Sequence, residues 1–294
     1  MIFAGLPTDT RARLTRFAAA LVCVAPLAAC SSFDINDFNP FAPEKYKMKV
    51  EPDTPATAYY DQGLARLNKE DGSGAAKKFT DLGKAYPDSD WSKKALLMTA
   101  YSQFKAGSYD DAETSAEKYA KLYPDSPDAP YALYLEASSY YSQIPDISRD
   151  QERANKALDL FTKIVEKYPN SEYVNDSKFK IQVARDQLAG KEMSIGRFYL
   201  TRHNYPAAIN RFQTVLSKYQ TTRHAEEALY RLTEAYLALG VTNEAQTAAA
   251  VLGHNYPDGQ WYKDAYALLK GGGLEPEEHK DSWISKIYHS VVPG

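Results

Sequence analysis

Tyr86-Pro87-Asp88-Ser89 is the first of five copies of a short phrase around which this chain of 294 residues is organised. The other copies are Tyr123-Pro124-Asp125-Ser126, Tyr168-Pro169-Asn170-Ser171, Tyr219-Gln220-Thr221-Thr222, which has lost the proline, and Tyr256-Pro257-Asp258-Gly259. Proline lacks an N–H group and moves the residue before it out of the α conformation, so each copy is expected to end a helix. The polar residues that follow suit the N-cap of another helix. The phrase therefore predicts a series of helices.

A fixed pattern of small and apolar residues precedes each tyrosine of the phrase. An alanine stands eleven residues before the tyrosine, and further residues follow that alanine by four and by seven. Spacings of four, three and four place these side chains on one face of an α-helix. In chain order the positions hold Ala75, Phe79 and Leu82; Ala112, Ala116 and Tyr119; Ala157, Phe161 and Ile164; Ala208, Phe212 and Val215; and Ala245, Ala249 and Leu252.

Between the phrases the chain reads as pairs of helices, an arrangement typical of tetratricopeptide repeats. We predict an all-α fold, a right-handed superhelical solenoid of five tetratricopeptide-like helix pairs plus a C-terminal helix. The equivalent alanines are 37, 45, 51 and 37 residues apart, which indicates a longer loop in the third pair and a long helix in the fourth. The pairs are expected over residues 55–88, 89–125, 128–170, 172–221 and 222–257, and the last helix over 258–270.

Composition and motifs argue against several classes of function. The formal net charge of −3, with basic residues scattered along the chain, does not favour nucleic-acid binding. Residues 31–294 hold no cysteine, so disulfides and cysteine-bound metal are not expected in the folded part. The five histidines have no close ligand spacing, and the glycine cluster at 71–74 is interpreted as a turn rather than a phosphate loop. We therefore expect no catalytic residues, no metal and no cofactor.

The amino terminus predicts a targeting segment over residues 1–29. Thirteen apolar residues, 17–29, follow three arginines, and a helix of that length spans about 20 Å, short of a bilayer core of about 30 Å. The end of this run and the next residue, Leu27-Ala28-Ala29-Cys30, resemble the bacterial lipobox. A plain signal peptide with an incidental cysteine is the alternative. The resemblance implies that Cys30 becomes an N-palmitoyl, S-diacylglycerol cysteine. Residues 30–54 carry scattered prolines and are expected to form an extended tether.

The carboxy-terminal repeats carry a more specific resemblance. It runs through Ile195-Gly196-Arg197-Phe198-Tyr199, Tyr205-Pro206-Ala207-Ala208-Ile209-Asn210-Arg211-Phe212, Glu226-Glu227-Ala228-Leu229, Glu234-Ala235-Tyr236-Leu237-Ala238-Leu239-Gly240 and Asn255-Tyr256-Pro257-Asp258-Gly259-Gln260-Trp261-Tyr262. Together with the lipobox, these stretches resemble the BamD family of outer-membrane-assembly lipoproteins over about residues 27–270. The resemblance implies a scaffold on the periplasmic face of the outer membrane, held there by its lipid.

The family resemblance also implies partners and surfaces. A BamD-like protein binds a BamA-like insertase and other Bam lipoproteins, and helps to deliver unfolded outer-membrane β-barrel precursors. By motif position, Arg202, Asn210 and Arg211 are expected to face the insertase. Tyr60, Tyr101 and Tyr134 are expected to line a precursor groove, where aromatic faces can stack. A periplasmic repeat lipoprotein that organises cell-wall synthesis or division complexes is the alternative function.

Residues 271–294 depart from the family pattern after Gly271-Gly272-Gly273. We predict a flexible tail with a short amphipathic segment, because Trp283, Ile284, Ile287 and Tyr288 share one helical face. That face suits docking on a partner, on the repeats or on a membrane surface, and a disordered tail is the alternative.

Overall fold

The computed structural model describes residues 54–291, which form twelve α-helices and, within that range, no β-strand. The helices are α1 (Ala56–Leu67), α2 (Gly72–Ala85), α3 (Asp90–Lys105), α4 (Tyr109–Leu122), α5 (Ala129–Ser142), α6 (Glu152–Lys167), α7 (Val174–Thr201), α8 (Tyr205–Lys218), α9 (His224–Ala238), α10 (Thr242–Asn255), α11 (Gln260–Gly271) and α12 (Trp283–Val291). The expected signal segment, Cys30 and nearly all of the tether lie outside the described residues.

The first ten helices form five antiparallel pairs, and the pairs stack in chain order. Each helix from α1 to α10 contacts the next one, and α1, α3, α5, α7, α9 and α11 also contact each other in sequence. These odd-numbered helices make one layer, here called the first-helix layer, and the even-numbered helices from α2 to α10 make the second-helix layer. The arrangement confirms the predicted all-α solenoid of tetratricopeptide-like pairs, with α11 continuing the first-helix layer.

The predicted pattern of small and apolar residues forms the contact between the two helices of each pair. All fifteen side chains of that pattern, from Ala75 to Leu252, are 0% exposed. Alanine at the first position lets the helices approach closely, and larger side chains fill the space beside it. Burial of these residues is what holds each helix on its partner.

The tyrosine of the phrase ends the second helix of every pair with a similar backbone geometry. The φ and ψ angles are −124° and 61° at Tyr86 and −137° and 58° at Tyr256, whereas ψ falls to 28° at Tyr219, where the proline is lost. Each tyrosine N–H donates to the carbonyl four residues earlier at 2.8–3.0 Å. Ser89 then caps α3 by accepting from the Ser92 N–H at 3.2 Å, as the sequence predicts.

The glycine cluster at residues 71–74 lies in a helix, which corrects the predicted turn. The turn occupies the residues just before it, where Glu70 has a φ of 59°, and α2 begins at Gly72 with Asp71 as its N-cap. A Cβ at Gly72 would stand 2.8 Å from the Ser102 carbonyl oxygen and 2.9 Å from the Ala106 nitrogen. Glycine is required here because α2 begins against the end of α3, not because the chain turns.

The segment after Gly273 packs on the repeats, which corrects the predicted flexible tail for residues 274–291. Helix α12 contacts α10 and α8 in the second-helix layer. Ile284 is 0% exposed, and the Trp283 indole N–H donates to the Tyr236 hydroxyl at 2.9 Å. The apolar face that the sequence shows therefore packs on the helix pairs. Its docking site could not be read from the sequence, since it is built by helices far away in the chain.

Candidate partner-binding surfaces

Tyr101 and Tyr134, two of the predicted groove residues, belong to one run of aromatic rings. The centroids of Tyr101 and Tyr131 are 6.5 Å apart, those of Tyr131 and Tyr173 are 5.3 Å apart, and those of Tyr173 and Tyr134 are 4.9 Å apart. The last two pairs are stacked, with interplanar angles of 29°. These four half-buried tyrosines, here called the tyrosine row, extend from α3 across α5 to the start of α7. They form a continuous aromatic surface on the first-helix layer.

A charged side chain fixes the end of the tyrosine row. The Lys180 ammonium donates to the Tyr134 hydroxyl and to the Asp176 carboxylate, each at 2.6 Å, and stands 4.6 Å from the centre of the Tyr134 ring. The Tyr134 hydroxyl also donates to Asp176 at 2.6 Å. Burial alone would raise the pKa of Asp176, but the hydrogen bonds from Lys180 and Tyr134 lower it overall. The ion pair therefore holds the ring in one orientation.

Tyr60, the third predicted groove residue, lies apart from the tyrosine row. Its ring packs edge-on against Phe79, with centroids 5.5 Å apart, and against Trp91 at 5.7 Å. These contacts join the first two helix pairs, so Tyr60 acts in packing. The sequence predictions did not include Tyr131 and Tyr173. One signal was present for Tyr173, because an aromatic residue stands five positions after the phrase tyrosine in three copies, at Trp91, Tyr173 and Trp261.

The predicted insertase-facing residues lie on α7 and α8 in two separate surroundings. Arg202 follows the last residue of α7, and its guanidinium stands 4.2 Å from the ring centre of Phe198, which is 50% exposed. Arg211 donates to Glu192 at 3.1 Å, and the neighbouring Asn210 is exposed. Glu192 lies on α7 ten residues before Arg202, a separation of about 15 Å along a helix axis. The structure therefore places Arg202 in a different group from Asn210 and Arg211.

A network of charges links the last two pairs beside Arg202. Arg197 donates to Glu227 at 2.8 Å, and Arg231 donates to the other oxygen of Glu227 at 3.3 Å. Arg231 also donates to Glu234 at 2.9 Å and stands 5.3 Å from the ring centre of Trp261. Both guanidinium groups are thereby held in fixed positions, which suits recognition of a partner carboxylate.

The described residues show neither a membrane-spanning helix nor a metal site. None of the helices between residues 54 and 291 is both long and apolar enough to cross a bilayer. Over the same residues, no group of three histidine, cysteine or acidic side chains is placed to hold a metal ion.

Comparisons with known proteins point to one family. Residues 52–252 match the family model described as an outer membrane lipoprotein (YfiO). The chain is 40% identical over 275 residues to the outer membrane protein assembly factor BamD of Caulobacter vibrioides, covering 94% of this chain and 85% of that protein. It is 44% identical over 216 residues to the protein of the same name from Rickettsia prowazekii, covering 74% and 86%.

Among solved structures, the chain is similar to a tetratricopeptide-repeat protein from Thermus thermophilus. It is 18% identical, has a TM-score of 0.32, and is matched over 73% of this chain and 98% of its own. The family assignment rests on the sequence relatives, whose similarity to this chain covers the repeats. The chain belongs to the BamD family, whose members are named outer membrane protein assembly factors.

Proposed function

We propose that this protein is a scaffold of the outer-membrane β-barrel assembly machinery. It binds a BamA-like insertase and helps to deliver and insert unfolded β-barrel precursors. The observation that carries the proposal is the match to assembly factors along 94% of the chain, which includes every repeat. A repeat solenoid with an extended surface suits this role, because such arrays bind partners along their length.

Two surfaces are assigned to the two kinds of partner. Asn210 and Arg211 on α8 contact the insertase, and Arg202 at the end of α7 makes a second contact. Arginine suits such an interface because its guanidinium pairs with carboxylates in a defined geometry. The tyrosine row receives segments of the unfolded precursor, because its ring faces stack on aromatic side chains without requiring one sequence. Tyr60 is left out of this surface, since it packs between the first two pairs.

The protein associates with the outer membrane, and we propose that lipid on Cys30 anchors it to the periplasmic face. The basis is the lipobox-like sequence before Cys30 and the match to a family described as outer membrane lipoproteins. The mass of the mature protein tests this directly. Acyl chains on residue 30 are expected, and a mature chain that begins elsewhere or lacks acyl groups would rule out the anchor.

The relatives' names favour a scaffold over an enzyme and give no support to the alternative of a cell-wall or division organiser. The two scaffold functions differ in what they bind. A barrel-assembly protein co-purifies with a large outer-membrane barrel after mild solubilisation, whereas a cell-wall organiser co-purifies with peptidoglycan enzymes. Purification of the tagged, full-length protein from its own cells distinguishes them. Recovery of peptidoglycan enzymes without a barrel would refute the proposal.

A charge reversal tests the insertase surface. We expect Arg211→Glu to reduce recovery of the insertase about tenfold or more, since an interface arginine is replaced by an opposite charge. Arg153→Glu is the matched control, because Arg153 is also a half-exposed arginine that pairs with acidic residues, Asp110 and Glu113, in another repeat. Equal losses in both variants would point to general destabilisation and would remove Arg211 from the interface.

A further inference from the structure

Helix α7 takes part in two separate buried cores. Ile181 packs against the core of the third pair, whereas Ala189 begins the part of α7 that belongs to the large last core. The described residues between them, 182–188, belong to neither cluster, although Ala184 and Leu188 are buried. Helix α7 therefore connects two halves of the solenoid. The amino-terminal half is formed by the first three pairs, and the carboxy-terminal half by the helices around the last core.

The loop between α5 and α6 contacts α7 next to this interruption. The Gln187 side-chain amide donates to the Pro145 carbonyl, and the Lys191 ammonium donates to the Ser148 carbonyl, each at 2.9 Å. The two donors are about one helical turn apart, so the loop lies along α7 for that turn. Residues 182–191, here called the α7 joint, are thereby bound to the amino-terminal half.

The same loop is closed on itself by hydrogen bonds. The buried Gln151 donates from its side-chain nitrogen to the carbonyls of Asp146 and Arg149, at 3.0 and 3.2 Å. The Asp146 carboxylate accepts from the Ser148 N–H at 2.8 Å, and this hydrogen bond lowers the pKa of Asp146. A loop that is ordered by its own contacts can hold a neighbouring helix in a defined position.

The start of the fifth pair contacts the α7 joint from the carboxy-terminal half. The Gln182 side-chain amide donates to the Thr221 carbonyl at 3.0 Å, and the Arg223 guanidinium pairs with the Asp186 carboxylate at 3.0 Å. Both contacts are polar and lie at the surface, where such pairs contribute little stability. The joint is thus held by a few polar contacts rather than by a continuous core, as expected of a place where a protein bends.

Gly190 is where the contacts from the two halves meet. A Cβ at this buried glycine would stand 3.7 Å from Ile147 Cγ2 in the loop and 3.3 Å from His224 Nε2 at the start of α9. The missing side chain therefore lets both halves approach α7 closely at one point. Glycine also favours a helix less than any residue except proline, which makes the joint easier to bend.

Space for movement lies beside the joint. A cavity of about 640 Å³ separates the loop and the start of α6 from Lys191, Glu192 and Ile195 of α7. A close-packed core would resist bending, but α7 faces open space here. The carboxy-terminal half can therefore tilt toward the third pair without displacing core side chains.

We propose that the α7 joint is a hinge and that the loop between α5 and α6 is a strap that fixes its angle. The strap acts through the hydrogen bonds from Gln187 and Lys191. Without them both halves stay folded, because nearly all of their core side chains lie outside the joint, but the angle between the halves varies. The inference goes beyond the proposed function, since it concerns the solenoid itself and does not depend on which partners bind. Its consequence is that the strap sets the distance between the tyrosine row and the last two pairs.

The test measures the distance between two spin labels, one on each half, in the full-length protein. Cysteines replace the exposed Lys118 on α4 and Lys263 on α11, and serine replaces the two native cysteines, so that only these two sites are labelled. Gln187→Ala combined with Lys191→Ala removes both donors to the strap, while alanine keeps α7 helical. The spread of label distances, measured by double electron–electron resonance, is expected to widen about twofold in this strap variant.

Two controls separate bending at the joint from general loosening. Lys178→Ala combined with Ser194→Ala removes two exposed side chains of α7 outside the joint and should leave the spread unchanged. Labels at the exposed Lys77 on α2 and at Lys118 both lie in the amino-terminal half, and their spread should be the same in the strap variant as in the wild type.

The possible outcomes decide between a hinge and a uniform solenoid. An unchanged spread between the two halves in the strap variant would overturn the proposal. Equal widening within the amino-terminal half, or in the Lys178 and Ser194 control, would also overturn it, because the loosening would then not be located at the joint. Circular dichroism checks the fold, and Lys191→Ala alone is measured by the same criteria if the double variant loses helix. These results leave the proposed function to its own co-purification test.

Discussion

At the scale of single residues, the first and fourth helix pairs are held together by a large side chain packed against a glycine. Phe79 and Phe212 each lie opposite a glycine sixteen residues earlier, Gly63 and Gly196. A Cβ on Gly196 would stand 2.4 Å from the Phe212 ring, and one on Gly63 would stand 2.5 Å from the Phe79 ring. Where the second helix has alanine instead, at Ala116, the residue sixteen earlier is the larger Ala100. The sequence showed the buried phenylalanines, but the glycine partners follow only from the helix crossing.

Gly196→Ala is expected to destabilise the protein although alanine favours helices. Crowding against Phe212 costs about 1–3 kcal/mol, and the helix propensity of alanine returns at most about 1 kcal/mol. Urea unfolding is expected to show a net loss of about 1–2 kcal/mol. Gly83→Ala is the control, because a Cβ there meets only the Ala95 side chain at 3.8 Å, and a gain of up to about 1 kcal/mol is expected. An unchanged stability of Gly196→Ala would show that the phenylalanine ring can move aside.

Glu136 on α5 makes stability depend on pH. The residue is 8% exposed, and burial raises its pKa from 4.5 to about 7, with Glu117 and Glu113 adding to the rise and Lys163 opposing it. The folded state therefore binds a proton that the unfolded state has released. Stability is full below pH 4.5 and is lost as the pH rises to about 7.

Removing this charge is expected to stabilise the protein at high pH only. Glu136→Gln should raise the free energy of unfolding by about 2–3 kcal/mol at pH 8 and change it little at pH 4.5. Urea unfolding at the two pH values measures the difference. The control is Asp159→Asn, which removes an exposed acid on α6. An equal effect of Glu136→Gln at both pH values would mean that folding does not raise the pKa of Glu136.

At the scale of helices, the sequence predicted the order, number and approximate bounds of the repeat elements. The phrase made this possible, because its proline and tyrosine mark where each second helix ends. The long proline-free stretch in the fourth pair is indeed one helix, α7, of 28 residues. Prediction did less well where an element depends on distant contacts. The tyrosine row needs Tyr131 and Tyr173 from two pairs, and α12 needs a surface made by α8 and α10.

Trp283 is expected to be the residue that holds α12 against the repeats. Its indole N–H donates to Tyr236, and its ring packs against the last core. Trp283→Ala should destabilise the protein by about 2–3 kcal/mol, somewhat less than for a fully buried tryptophan. Limited proteolysis should then cut between residues 271 and 283 faster than in the wild type. Ser290→Ala, an exposed change on the same helix, is the control, and equal cleavage of the two variants would refute the role of Trp283.

At the scale of the whole molecule, each helix pair is supported only by its neighbours. Among the described helices, contacts join successive pairs, and α12 alone reaches back across two of them, to α10 and α8. The buried core is also uneven. One large cluster runs from Ala189 to Ile284, whereas the first three pairs hold small, separate clusters. Such arrays have stabilities that add pair by pair, so the first pairs are expected to be the less stable end.

This unevenness decides how the molecule would respond to mechanical force. If lipid on Cys30 anchors the amino terminus and a partner is bound near the carboxy terminus, as proposed above, force between the two is carried through the stack of pairs. The first pair is expected to unfold before the rest, because it contacts only one other pair among the described helices and its buried cluster is small. The last two pairs, across which α12 packs, are expected to unfold last. They would stay folded and bound to the partner while the early repeats extend.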